Sequence, residues 1–146
     1  PEAFLEEHLD ADSASHPTGL QGGPAGLGVG HVHLQVGDTA TARHFYVALL
    51  GFEVTAELGG SALFVSAGRY HHHMAMNTWN SAGAGRRSRT QGLSRLDVVV
   101  PDRQAVDAAA TRLRAAGVPV ADDGSALVVE DPWGTTVRLS PETPGR

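Results

Sequence analysis

The sequence predicts an α+β domain of two βαβββ modules, which pair into a curved, cup-shaped sheet with the helices outside. Three observations support this prediction. A pattern of strand, helix and three strands occurs twice, with a repeat of about 60 residues. Each predicted helix is preceded by Asp and followed by Gly, which are favourable capping residues. The length of 146 residues suits one domain and leaves no room for a second full one.

The first module covers residues 29–77. Its opening strand, 29–36, alternates residue by residue, as a strand with one buried face does. Asp38 is placed to cap the following helix and Gly51 to end it. The apolar residues at helical spacing between them are Ala42, Phe45, Tyr46 and Leu49. Three further strands are predicted at 52–57, 62–66 and 70–77.

The second module, residues 92–140, repeats the pattern. A strand at 93–100 precedes Asp102, which is placed to cap a helix over 105–116, and Gly117 follows that helix. Its inward face is predicted to hold Val106, Ala109, Ala110 and Leu113. The remaining strands are predicted at 118–121, 126–129 and 135–140.

Three segments lie outside the modules, which together form a predicted domain over residues 29–140. Residues 1–28 are expected to be an N-terminal extension with a short helix at 2–9 and a linker rich in Gly, Ser and Pro. Residues 78–91 are expected to be a second linker, and residues 141–146 a tail. Because the chain begins with Pro, we expect a processed product or a fragment.

The composition excludes several classes of function. The net charge is −5, and all 11 basic residues are Arg, so a basic face for nucleic acid is not expected. The one basic cluster, Arg86, Arg87 and Arg89, is interpreted as a solvated loop. Without cysteine there are no disulfides, thiolate metal sites or cysteine nucleophiles, which fits a location in the cytoplasm. No apolar stretch approaches the roughly 20 residues of a membrane span, so no membrane partner is expected.

Strand alternation predicts which of the 8 histidines face the cup. In the first strand His31 and His33 alternate with apolar residues that must pack against the helix. In the strand over 70–77 the same reasoning places His72 on the helix side. The cup side of that strand is predicted to hold His71, His73, Ala75 and Asn77.

Three stretches resemble the vicinal oxygen chelate superfamily, the group of glyoxalases, bleomycin-resistance proteins and extradiol dioxygenases. These are GHVHL at 30–34, FYVALLGF at 45–52 and DPWGTTVRL at 131–139. Together with YHHHMAMNTW at 70–79, they are most similar to the second half of bacterial catechol-2,3-dioxygenase-like proteins. The resemblance covers residues 29–140 and implies the paired βαβββ fold.

The resemblance also implies a divalent metal in the cup: Fe, Mn, Ni or Zn. His31 and His73 match ligand positions of the superfamily, and His33 and His71 would be nearby acids, bases or further ligands. In the second module, however, Arg95 and Arg138 stand where metal-binding members carry a histidine and a carboxylate. A guanidinium group cannot ligate a metal and repels one, and Arg138 is expected to pair with Asp97.

Three functions remain open at this point. The first is a metal-dependent dioxygenase that cleaves the ring of a catechol-type substrate. The second is a metal-free protein of the bleomycin-resistance kind, which needs only a cleft between modules or subunits to bind a small molecule. The third is the non-catalytic half of a longer dioxygenase-like protein. A homodimer is expected, because the open sheet edges favour cover by another chain. The lining residues predicted for a ligand pocket are Gln35, Asn77, Trp79, Arg95, Asp97, Trp133 and Arg138.

Overall fold

The computed structural model describes residues 30–88 and 91–143. The extension, helix and linker expected within residues 1–28 therefore lie outside the described residues, as do Arg89 and the end of the tail. Within the described ranges, no helix combines the length and apolar character that a membrane span requires.

The first module folds as one strand, one helix and three strands. β1 (Val32–Gln35) is followed by α1 (Thr39–Arg43), which continues without a break into a π-helical segment (His44–Leu50). The Asp38 carboxylate accepts the Thr41 N–H at 2.7 Å and starts the helix, while Gly51, with φ of 100°, ends it. The remaining strands are β2 (Glu53–Leu58), β3 (Ala62–Ser66) and β4 (Met74–Asn77). Their order in the sheet is β1-β4-β3-β2, with β1 and β4 parallel.

The second module repeats this arrangement. β5 (Arg95–Val100) leads to α2 (Arg103–Ala115), whose first turn is capped by the Asp102 carboxylate on the Ala105 N–H at 2.8 Å. β6 (Val120–Asp122), β7 (Leu127–Glu130) and β8 (Thr136–Pro141) complete a sheet of order β5-β8-β7-β6. The residues predicted to face inward on α2 are all buried, namely Val106, Ala109, Ala110 and Leu113.

The predicted pair of βαβββ modules is confirmed. The eight strands form two four-stranded sheets, and among the described strands no ladder joins one sheet to the other. A single apolar cluster connects the modules instead, because it contains buried residues of both. The Tyr46 hydroxyl, which belongs to this cluster, donates to the buried carboxylate of Asp131 in the second module at 2.9 Å. The Arg112 guanidinium donates to the carbonyls of Leu49 and Leu50 at 2.8 and 3.0 Å, which fixes α2 against the π-helical segment.

The connection between the modules is more ordered than a solvated linker. The Gly83 N–H donates to the Gly37 carbonyl at 2.8 Å, so the segment after β4 lies directly against the end of β1. A Cβ atom at Gly37 would lie 2.0 Å from the Ala84 carbonyl oxygen, so only glycine permits this approach. Trp133 was expected to line a pocket, but it is only 4% exposed, and its indole N–H donates to the same Ala84 carbonyl at 2.9 Å. That expectation is wrong because the indole packs in the core.

Candidate functional site: a histidine cluster beside a cleft between the modules

The face of the first sheet that points away from the helix carries exposed polar residues from β1 and buried residues from β4. His33 lies opposite Ala75, and Gln35 lies opposite Asn77, in the parallel ladder between these strands. The alternate residues Leu34, Met74 and Met76 are buried on the helix side. This is the alternation that the sequence predicts for these two strands, because the apolar side chains must cover the helix.

His72 departs from that alternation. β4 begins only at Met74, after a turn in which Gly68 and Arg69 both have positive φ, so residues 70–73 are not part of a regular strand. The His72 ring lies 4.5 Å from the His31 ring and 5.2 Å from Phe64. Phe64 is paired with Ala75 and shares the face of His33. The prediction that His72 faces the helix is therefore wrong, because alternation holds only inside a ladder.

His73 has different neighbours from the other histidines of its run. Its Nδ1 accepts the Ala67 N–H at 3.2 Å, and its ring lies 4.7 Å from Tyr70. Ring nitrogens of His31, His71 and His72 all lie within 4.8 Å of one another, and His73 is not a member of that group. The set of imidazoles that the structure gathers thus differs from the predicted pair of His31 and His73.

Burial and the neighbouring imidazoles alter the basicity of this cluster. Loss of solvent around the half-buried His72 ring lowers its pKa, and the charges of adjacent imidazoles lower it further, with His71 the largest contributor and His31 next. A lowered pKa keeps the ring neutral, and the neutral ring is the form with a free lone pair.

The exposed face of the second sheet carries an ion-pair group instead of imidazoles. The Arg95 Nε lies 2.8 Å from one Asp97 oxygen, and an Arg138 nitrogen lies 3.8 Å from the other. The structure thus contains the expected pair of Arg138 and Asp97, and Arg95 adds to it. All three side chains are about a third or more exposed.

Two further predicted pocket residues, Asn77 and Trp79, lie at the end of β4 and just after it. The Asn77 side chain is buried, and its oxygen accepts the Trp79 N–H at 3.3 Å, so it stabilises the turn after β4. The Trp79 side chain is 60% exposed.

A cleft of about 860 Å³ lies between the end of β1 and the second module. His33 and Gln35 form part of one wall, while Glu130 and Thr136 form part of the other. The cleft is also lined by residues of the connecting segment and of the start of the second module, namely Arg86, Arg87, Ser88, Gln91, Gly92, Leu93 and Ser94.

Sequence reasoning missed the contribution of Arg86 and Arg87, which it assigned to a solvated loop. Arg86 forms an ion pair with Glu130, and Arg87 donates to the Gln35 carbonyl and, at 2.8 Å, to the Thr135 hydroxyl. Their stretch of Gly, Ser and Arg has no periodicity from which these contacts could be predicted.

Comparison with known proteins identifies the family. Residues 28–139 match the model of the Glyoxalase/Bleomycin resistance protein/Dioxygenase superfamily. The chain belongs to this superfamily. It is also similar to a catechol-2,3-dioxygenase of Bacillus subtilis, with 36% identity over 133 residues. That alignment covers 90% of this chain and 44% of the relative, so the chain spans less than half the length of the curated protein that it matches.

Solved structures show the same fold. Lactoylglutathione lyase from Agrobacterium tumefaciens is 19% identical with a TM-score of 0.56, and the match covers 81% of this chain and 94% of the other. The fosfomycin resistance protein FosX from Mesorhizobium loti is 14% identical with a TM-score of 0.58, covering 80% and 92%. A possible glyoxalase from Bacillus cereus is 19% identical with a TM-score of 0.59, covering 78% and 98%. The likeness shows that these proteins share the fold of this chain, although their names give differing activities.

Proposed function

We propose that this chain is the ligand-binding domain of a catechol-dioxygenase-like protein and that it binds a small aromatic molecule with adjacent oxygens between its modules. The observation that carries the proposal is the cleft of about 860 Å³, whose walls come from both modules. This volume lies within the range of roughly 300–1,000 Å³ that is usual for small-molecule sites. The similarity to a catechol-2,3-dioxygenase supports an aromatic diol as the ligand.

The cleft offers both polar and apolar contacts for such a ligand. The guanidinium groups of Arg86 and Arg87 each have five N–H donors, more than their present partners use. Adjacent oxygens of a diol can accept from such a planar fork, and the positive charge favours an ionised oxygen. Leu93, which is 51% exposed, gives an apolar surface for the ring. His33 is placed at the cleft to exchange a hydrogen bond with a ligand oxygen.

The metal implied by the superfamily does not fit the positions that would hold it in the second module. Those positions are Arg95 and Arg138, whose side chains are engaged with Asp97 and carry the charge of a cation. The predicted pair in the first module, His31 and His73, would leave a metal without the carboxylate that completes the usual iron triad. We therefore derive no ring-cleaving step for this chain.

The test is calorimetric titration of the metal-free chain with catechol and with phenol, which has one hydroxyl instead of two. We expect saturable binding of catechol and weaker binding of phenol. His33→Ala should weaken catechol binding, whereas His44→Ala, at an exposed histidine outside the cleft, should not. Absence of catechol binding, or equal losses in both variants, would refute the proposal.

A second candidate is a metal-dependent ring-cleaving dioxygenase, favoured by the 36% identity to the Bacillus protein. In that case the predicted ligands His31 and His73, with His33 or His71 as acid or base, would have to work without the carboxylate of the usual triad. Oxygen uptake with catechol, measured after loading with Fe²⁺ or Mn²⁺, tests this candidate. Stoichiometric uptake above the metal-free control would favour it over binding alone.

Assembly as a homodimer and a location in the cytoplasm are also proposals. β1 is paired with β4 and β5 with β8, and among the described strands neither has a second neighbour. Such edges favour cover by another chain. Sedimentation at micromolar concentration should give the mass of two chains, and a monomer throughout that range would refute the dimer.

A further inference from the structure

Three imidazoles of the first module form a cluster that the proposed ligand site does not use. The rings of His31 and His72 lie 4.5 Å apart, those of His71 and His72 also 4.5 Å, and those of His31 and His71 6.4 Å. One nitrogen of each ring lies within 4.8 Å of the others. Among the described residues, no hydrogen bond to another protein group occupies these three rings.

The backbone explains why the rings converge. β1 and β4 are parallel neighbours, so the residues just before each strand lie side by side. The Val32 N–H donates to the His73 carbonyl at 3.1 Å, and the His73 N–H donates to the Val65 carbonyl at 2.9 Å. These bonds fix His73 between two strands and leave His71 and His72 beyond the end of the ladder, next to His31.

From this geometry we propose that His31, His71 and His72 bind one divalent transition-metal ion of the Zn²⁺ type. Three neutral imidazoles with no carboxylate are a ligand set that suits Zn²⁺, Ni²⁺ or Cu²⁺ and not Mg²⁺ or Ca²⁺. Around an ion with Zn–N distances of about 2.0–2.1 Å, tetrahedral ligands lie about 3.4 Å apart. His31 and His71 are exposed and can turn by the required amount, while the half-buried His72 is held against Phe64.

This site shares His31 with the superfamily position, but it differs from that position because all three ligands belong to the first module. It leaves a coordination position for solvent or another donor, since three protein ligands do not complete a tetrahedron. The His33 ring lies 5.2 Å from His31 and also lines the cleft, so the ion would lie close to the proposed ligand site. Metal binding is nevertheless independent of that proposal.

The experiment uses the full chain, purified without a histidine tag or a nickel column and treated with a chelator. Zn²⁺ is titrated in competition with a chromophoric chelator, and Mg²⁺ serves as the hard-ion control. We expect one Zn²⁺ per chain and no Mg²⁺ binding. His31→Ala, His71→Ala and His72→Gln should each weaken Zn²⁺ binding about tenfold or more. His44→Ala should not weaken it, and far-ultraviolet circular dichroism verifies that each variant is folded.

Two further measurements separate this proposal from its alternatives. Co²⁺ should give the visible absorption spectrum of a four-coordinate ion, and that spectrum should be lost in His72→Gln. His33→Ala should retain Zn²⁺ binding even if it loses catechol, so the two proposals can fail separately. The metal proposal is overturned if the wild type binds no stoichiometric Zn²⁺. It is also overturned if His73→Ala abolishes binding while His72→Gln does not, because the ligands would then follow strand alternation.

Discussion

The two modules have the same order of elements and the same strand order, yet the exposed faces of their sheets differ in chemistry. The first face carries His33 and has His31, His71 and His72 at its end, whereas the second carries Arg95, Asp97 and Arg138. The buried faces are alike, since both consist of apolar side chains packed on a helix. The topology thus follows from the buried positions, and exposed positions of the same strands are free to carry different functions.

The largest expected change in the free energy of unfolding is at Asp131, the buried carboxylate that connects the two modules. Asp131 accepts the N–H groups of Trp133 and Thr135 and the hydroxyl of Tyr46. Asp131→Ala leaves these buried donors unpaired and should lower the free energy of unfolding by about 3–5 kcal/mol in urea denaturation. The exposed Asp123 also accepts N–H groups, from Ser125 and Ala126, and its replacement by Ala should cost far less.

If Asp131→Ala does not fold, Asp131→Asn provides the measurement. It retains one oxygen for the N–H groups and should cost about 1–2 kcal/mol. If the variants at Asp131 and Asp123 lose the same free energy of unfolding, the contact between the modules stabilises the fold no more than an exposed turn does.

The second comparison uses the glycines that follow the two helices. Gly51 has φ of 100°, and a Cβ atom there would lie 2.8 Å from an Arg112 nitrogen that bonds the Leu50 carbonyl. Gly117 has φ of 72° and nothing within 4 Å of an added Cβ. In thermal unfolding, the free energy of unfolding should therefore fall by about 2–3 kcal/mol for Gly51→Ala and by about 1 kcal/mol for Gly117→Ala. If Gly117→Ala lowers the free energy of unfolding more than Gly51→Ala does, this difference between the two helix ends is wrong.

The third comparison concerns the exposed faces themselves. Arg95 is paired with Asp97 on the surface, and His33 is exposed on the other sheet. Replacing either residue by Ala should change the free energy of unfolding by less than about 0.5 kcal/mol, because exposed ion pairs and exposed polar rings contribute little. A loss above 1 kcal/mol in urea denaturation for either variant, on the scale of a buried contact, would mean that its face is structural.

The smallest effect concerns the start of the first helix. Hydrogen bonds from the Thr41 hydroxyl, and to a smaller extent from the Thr41 N–H, lower the pKa of the Asp38 carboxyl below its ordinary value of 3.8. The ionised carboxylate therefore stabilises the folded state above that pH, and the contribution is lost as the pH falls through the lowered pKa. In thermal unfolding, the difference between the wild type and Asp38→Asn should shrink between pH 6 and pH 2. A constant difference would contradict this account.

The elements of the fold could be predicted because local signals and burial agree. Asp38 and Asp102 cap the helices as expected, and the inward residues of α2 are those that helical spacing selects. The π-helical form of 44–50 was not foreseen, because its side chains also follow an ordinary helical pattern. The predicted strand 70–77 is shortened to 74–77, since Gly68 and Arg69 turn the chain just before it.

The candidate site was predicted less completely, because local signals and burial agree for only some of its residues. Alternation correctly assigns Ala75 and Asn77 to the face of His33, because these residues lie inside a ladder. It fails for His72, where no ladder constrains the side chain. The roles of His31, His33, His71 and His73 stay predictions, since their chemistry depends on an ion or ligand that sequence pattern alone does not specify.

The hydrogen bond between Tyr46 and Asp131 gives the internal repeat a consequence for folding. Although each module repeats the same pattern, neither can complete its core alone, because the bond and the surrounding apolar cluster draw on both. The unit that was duplicated in the sequence is therefore smaller than the unit that folds. The chain should unfold in one cooperative step, and a break in the connecting segment would separate two halves that each need the other.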